Sequence, residues 1–271
     1  MVFVAGALPP HPHKELFFLD LVHFERIAFK KAKVFGVPFF QKGNKKSLTT
    51  QDTKELKLYI VRENLMGQEF PEAYFQRHDE SSDFNFYAFP RKVVHIDDGA
   101  IAYLRDYYRT ILHDDDVILD LMSSWRSHLP PDLQPHYVVG LGMNADEMRD
   151  NPQLDAHLVQ SLNDKSRLHY ADATFDAVLC AVSVQYLTNP LAVFAEVRRV
   201  LKPAGIFAVS FSNRCFPTKA VNVWLQMSDR QHVALVTRYF EQSGAWDIDT
   251  RIETSGQHDP MFIVSGIKRG D

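Results

Sequence analysis

Cysteine is scarce in this chain. There are two, Cys180 and Cys215, and their spacing fits neither a metal site nor a disulfide framework. A fold stapled by disulfides is therefore excluded, and both thiols are expected to be reduced, with Cys180 in the core. No apolar run approaches the roughly 20 residues of a membrane span. The opening residues, MVFVAGALPPHPHKELFF, lack the basic n-region and long h-region of a signal peptide and the Arg and Ser of a transit peptide. Basic residues are not in excess: 30 Lys and Arg against 34 Asp and Glu give a formal net charge of -4. Nucleic-acid binders usually carry a basic face, so no nucleic acid is expected. No Gly-x-Gly-x-x-Gly follows any apolar run, which counts heavily against a dinucleotide-dependent dehydrogenase. The sequence contains no internal repeat, low-complexity tract or metal-ligand pattern. The expected location is intracellular, in the cytoplasm, away from membranes.

What is present is an ordinary globular composition, 45% hydrophobic and 24% charged. The chain is organised around residues 116–148. Two short β-rich apolar runs, residues 117–121 and 137–141, read as buried strands, with room between them for one short helix. Asn144, followed three residues on by Glu147, is a helix-start signal. Strand, crossover, strand and helix begin a doubly wound parallel sheet. Ligands of such sheets lie beyond the carboxyl ends of the strands, here Asp120 and Gly142-Met143-Asn144.

Upstream, residues 16–29 read equally as helix or strand. The lysines between 30 and 46 read as a solvated surface, with a patch for an anionic partner as the alternative, 51–66 as a helix and 76–84 as a loop. Residues 1–85 are expected to be an N-terminal cap or small subdomain and 86–271 the main α/β domain. Asp97 or Asp98 caps a helix carrying Ile101, Leu104, Tyr108 and Ile111 at helical spacing. Residues 154–162 form an amphipathic piece. Residues 177–182 and 206–211 read as strands. Between them lies a helix opened by Asn189-Pro190, lined by Val193, Val197 and Val200, and stopped by residues 202–205. Residues 229–242 read as a helix ended by Gly244, and 246–252 and 261–267 as two final strands.

The run from 175 to 213 resembles the class I S-adenosylmethionine-dependent methyltransferases. Phe175-Asp176, Tyr186-Leu187, Asn189-Pro190, Glu196, Arg199 to Pro203 and Gly205 fall at that family's spacing. Asp120 matches its acid at the end of the first strand, and the resemblance covers about residues 85–268. It implies a mostly parallel seven-stranded, Rossmann-like sheet closed by an antiparallel hairpin, with S-adenosylmethionine as cofactor. It also implies cofactor contacts from Asp120, Met122, Ser123 and Ser124, with the two serines standing where the family has glycine. Gly142, Met143 and Asn144 fall at the ribose, and Asn163 or Asp164 falls at the adenine. Ser183 follows the fourth strand.

On the acceptor side the resemblance points to Arg91, His95, Trp125, Tyr186 and Asn213, with Gln185, Ser212, Arg214 and Cys215 beside them. Gly142 stands where the family has a ribose-binding acid. Weakened cofactor binding is therefore expected, with an acid introduced at 142 tightening it. The implied activity is methyl transfer to a small molecule, for which no particular catalytic residue is required. The alternative is a non-catalytic, cofactor-binding descendant of the same fold.

Overall fold

The computed structural model describes residues 70–270. The expectations for residues 16–29, the lysine-rich stretch and the helix at 51–66 lie outside the described residues.

Seven strands make one sheet: β1 (Val117–Ser123), β2 (Tyr137–Gly142), β3 (Ala156–Val159), β4 (Phe175–Ala181), β5 (Leu201–Phe211), β6 (Trp246–Glu253) and β7 (Met261–Lys268). Their order is β3-β2-β1-β4-β5-β7-β6. The first five are parallel, while β7 runs antiparallel to β5 and to β6. This is the expected mostly parallel sheet, and its order reverses between β1 and β4, which positions a ligand crevice there. Helices cover both faces, so the central strands are apolar on both sides. The amphipathic piece at 154–162 contributes β3.

One face is covered by α2 (Asp98–Ile111), which follows a short α1 (Asp83–Phe86). Of the two candidate caps Asp97 is the one used, accepting from the Ala100 amide. Ile101, Leu104 and Tyr108 pack against Ile118, Leu179 and Ile263. On the other face lie α4 (Pro190–Val200) and α6 (Asp229–Ser243). Asn189 and Pro190 open α4, and Val193, Val197 and Val200 are fully buried. Phe194 meets Phe207 at 4.9 Å and Phe240 at 5.0 Å between ring centroids. A capping box of Ser228 and Gln231 starts α6, and Gly244 at φ 146° ends it, a conformation that favours glycine.

Two local expectations are corrected. No helix joins β1 to β2, because residues 124–136 contain Pro130, Pro131 and Pro135, which remove the amide donors a helix needs. A left-handed His128 (φ 59°) lies there too. The stop at 202–205 is a register shift inside β5: Phe175 pairs with Leu201 and Ala177 with Ile206, with Ala204 left-handed at φ 60°.

Residues 70–83 are tied to the far end of the domain. Phe70 and Phe75 pack on Tyr239. The Asp79 amide donates to the Thr218 carbonyl, and the amide of Asn222, first residue of α5 (Asn222–Gln226), donates to the Gln76 carbonyl. Lys219, with no exposed surface, donates to the Asp79 and Ser81 carbonyls. No helix among the described residues is long and apolar enough to cross a membrane.

Candidate functional site

A cavity of about 560 Å³ opens at the carboxyl ends of β1, β2 and β4, within the size range of small-ligand sites. Every residue singled out for the cofactor lines it except Asp164: Asp120, Met122, Ser123 and Ser124 from β1 and its turn, Gly142, Met143 and Asn144 beyond β2, and Asn163 and Ser183 beyond β3 and β4. Arg91, His95, Trp125, Tyr186 and Asn213 complete the wall, with Arg214 and Cys215. Gln185 and Ser212 are buried beside it and do not line it. Among the described residues no group of three His, Cys, Asp or Glu could hold a metal ion.

The turn after β1 works without glycine. Register shifts between Leu121 and Ser123, and the residue left over, Met122, takes φ 60°. That left-handed backbone costs a non-glycine residue roughly 1–2 kcal/mol, and the turn has compensating bonds. The Ser123 and Ser127 hydroxyls donate to Asp120 at 2.6 and 2.7 Å, and the Asn151 amide donates to Ser127 Oγ at 2.8 Å. Val182, another non-glycine residue at positive φ (52°), lines the cavity after β4. Such strain clusters at functional sites.

Burial pushes the Asp120 carboxyl up to about 6, against the two hydroxyl donors that lower it. Its folded value exceeds its unfolded one. The associated stability is therefore present in full below about pH 4 and is lost as pH rises through about 6. Some two units correspond to about 3 kcal/mol. Urea melts should show the wild type losing about 3 kcal/mol relative to Asp120→Asn between about pH 4 and about pH 7. Parallel profiles would mean that Asp120 is not buried against these serines.

At the end of β2 the expectation that an acid at 142 tightens binding is corrected. A Cβ at Gly142 would sit 2.1 Å from the Ser123 carbonyl oxygen and 3.0 Å from Met148 Sδ. Glycine is needed there for close approach of the β1 backbone, and an acid at this position has no room. The carboxylate in this part of the cavity belongs to Glu147, on α3 (Ala145–Arg149). Glu147 is 7% exposed. It accepts from the Arg91 amide at 2.5 Å and from Ser124 Oγ at 2.6 Å, and no basic side chain pairs with it among the described residues. Its sequence position reads as the second half of a capping box. Only the first half forms: Asn144 Oδ1 accepts from the Asp146 and Glu147 amides. The Asn144 amide group donates to the Tyr87 carbonyl, so this side chain caps a helix and holds the cavity's cover, residues 87–96, which line it through Tyr87, Arg91, Val93 and His95.

Asn163 is also engaged. Its Nδ2 donates to Asp83 and to the Tyr186 carbonyl, and its Oδ1 accepts from Thr188. Close by, Gln160 lines the cavity and its Oε1 has no partner. Trp125 Nε1 donates to the Val93 carbonyl, fastening the turn to the cover. The His95 imidazole is held below its ordinary pKa by desolvation and then by Arg91, with Glu147 opposing. His128 is pushed down to about 4 by burial, helped by Arg105 and Arg126. Glu147, Gln160, His128 and Phe216 were missed in the sequence because each reaches the cavity only through tertiary packing.

Residues 132–209 match the family model described as a methyltransferase domain. An 88-residue stretch is 32% identical to the biotin biosynthesis bifunctional protein BioHC of Teredinibacter turnerae. The match covers 32% of this chain and 15% of that protein, so the chain spans only a small part of the curated relative's length. Among solved structures, an S-adenosylmethionine-dependent methyltransferase from Mesorhizobium loti is 17% identical with a TM-score of 0.44, over 63% of this chain and 99% of that one. Another from Aquifex aeolicus is 14% identical with a TM-score of 0.47, over 74% and 100%.

Proposed function

Because the chain carries a class I methyltransferase domain, whose cofactor is S-adenosylmethionine, we propose that it transfers a methyl group to a small-molecule acceptor in this cavity. The observation that carries the reading is Glu147, a buried carboxylate beyond the second strand with no basic partner among the described residues. Neutral donors such as a ribose diol suit it, since charge-assisted hydrogen bonds to such groups are strong. With the cavity's size, this carboxylate fits the cofactor.

When bound, the cofactor supplies a methyl group already activated by its sulfonium. The chain's task is then to orient and desolvate. Met122, Ser123, Gly142 and Met143 form the backbone floor, with Asp120 holding the turn and Ser183 beside it. Tyr186, Trp125 and Asn213 shape the acceptor side. His95, held below its ordinary pKa by desolvation and without a hydrogen bond among the described residues, can take a proton from an acceptor at a ring nitrogen. The division into residues 1–85 and 86–271 belongs to the same proposal.

A second reading, a non-catalytic cofactor-binding descendant, is favoured by one observation: the turn at 122–127 has neither glycine nor a following helix. Calorimetry with S-adenosylhomocysteine tests the cofactor site common to both. Saturable one-to-one binding is expected, and no heat at millimolar ligand would sink it. Formation of S-adenosylhomocysteine from S-adenosylmethionine on adding small acids then separates the two readings.

A further inference from the structure

Among the described residues five cationic side chains line the cavity: Arg77, Arg91, Arg126, Arg214 and Lys219. Three have carboxylate partners. Arg77 meets Asp83 at 2.7 Å, Lys219 meets Asp79 at 3.1 Å and Asp83 at 3.3 Å, and Arg214 meets Asp259 at 2.8 Å. Arg91 and Arg126 have none among the described residues. Arg126 is exposed and lies over Trp125 at 4.0 Å, so water can serve it. Arg91 is half-buried. Its guanidinium carbon lies 4.3 Å from the Phe86 ring centroid, 5.9 Å from that of Tyr87 and 5.8 Å from that of Phe216.

Rings attract a cation without cancelling its charge, and charges withdrawn from water are as a rule paired. Nη1 of Arg91 donates to the Phe86 carbonyl at 2.7 Å, while Nε and Nη2 donate to no acceptor among the described residues. A guanidinium packed on aromatic rings with free N–H groups is prepared for a planar two-oxygen anion. Beside it, Phe216 stacks on Tyr186 at 6.0 Å and 28°, an apolar wall for the rest of a ligand.

We propose that Arg91 binds the carboxylate of the methyl acceptor. The acceptor class is then a small organic acid with an apolar or aromatic body lying against Phe216. This rests on the methyltransferase reading. The cofactor also carries a carboxylate, and the test separates the two sources.

Benzoate and its neutral isostere benzamide are titrated calorimetrically at constant ionic strength into the full chain, with and without S-adenosylhomocysteine. Benzoate should bind in both states, at least about tenfold more tightly than benzamide. Arg91→Gln should lower benzoate affinity at least about tenfold while leaving S-adenosylhomocysteine affinity unchanged, and Arg91→Lys should lose less. Melting curves confirm that each variant is folded. Benzoate binding no better than benzamide, or unaffected by Arg91→Gln, overturns the proposal. It is overturned equally if Arg91→Gln weakens S-adenosylhomocysteine but not 5′-methylthioadenosine, for then Arg91 holds the cofactor's own carboxylate. Absence of any heat with S-adenosylhomocysteine would strike the methyltransferase reading instead, and benzoate titrated into the unliganded chain would still decide the role of Arg91.

Discussion

Gly142→Ala should destabilise the domain by about 3 kcal/mol, at the upper end of what overpacking costs, although it adds a single methyl group. Most small additions are absorbed by flexible neighbours. Here the new atom would lie 2.1 Å from a backbone carbonyl, that of Ser123, and Ser123 is the register partner of Gly142 across the β1–β2 pair. Relief therefore requires β1 to move at the bulge that carries Met122, and the Asp120–Ser123–Ser127 bonds move with it. Thermal melts should fall by roughly 6–12 °C, and cofactor binding should fall with them. Gly142→Asp should do the same, which reverses the sequence-based expectation that an acid there tightens binding. A Gly142→Ala protein melting with the wild type would mean that β1 does not run against this strand end.

The second large effect is expected at Glu147. Glu147→Ala removes the carboxylate from the cavity and leaves the Arg91 amide and the Ser124 hydroxyl without their acceptor. Charge-assisted hydrogen bonds contribute roughly 1.5–3 kcal/mol each. Affinity for S-adenosylhomocysteine should therefore drop about ten- to a hundred-fold. Glu147→Gln keeps the shape and one acceptor oxygen and should lose less. The ribose assignment has a sharper signature. Against an analogue lacking both ribose hydroxyls, wild type and Glu147→Ala should bind alike, because the coupled pair is already broken. A loss that persists with that analogue would make Glu147 a fastener of the cover rather than a ligand for the sugar.

The sheet was legible because its signals are local. Residues 177–182 are apolar throughout, as a strand covered on both faces must be. Asn189-Pro190 and the valine stripe of α4 state a cap and a buried face within a few residues. The final hairpin alternates visibly. The site was legible only as a place. Asp120 and the residues after β2 named the strand ends, yet the functional groups there depend on contacts between distant segments.

Glu147 illustrates this: three residues after an asparagine cap it reads as the other half of a capping box, and only tertiary contact with Arg91 and Ser124 turns it into the cavity. An acid at 142 read as favourable because sequence records the missing side chain and not the Ser123 carbonyl that fills its place. The missing helix between β1 and β2 had a signal in Pro130, Pro131 and Pro135, outweighed by the room the segment offers a crossover helix. Met122 had none, since nothing in a methionine announces a left-handed backbone.

The central claim is that the cavity at the ends of β1, β2 and β4 is the S-adenosylmethionine site. The most direct test is a crystal structure of the full chain grown with saturating S-adenosylhomocysteine. The account predicts density for the ligand in that cavity, with the ribose hydroxyls within hydrogen-bond distance of the Glu147 carboxylate. Ligand density elsewhere, or a cavity holding only solvent when solution binding is saturated, would contradict it.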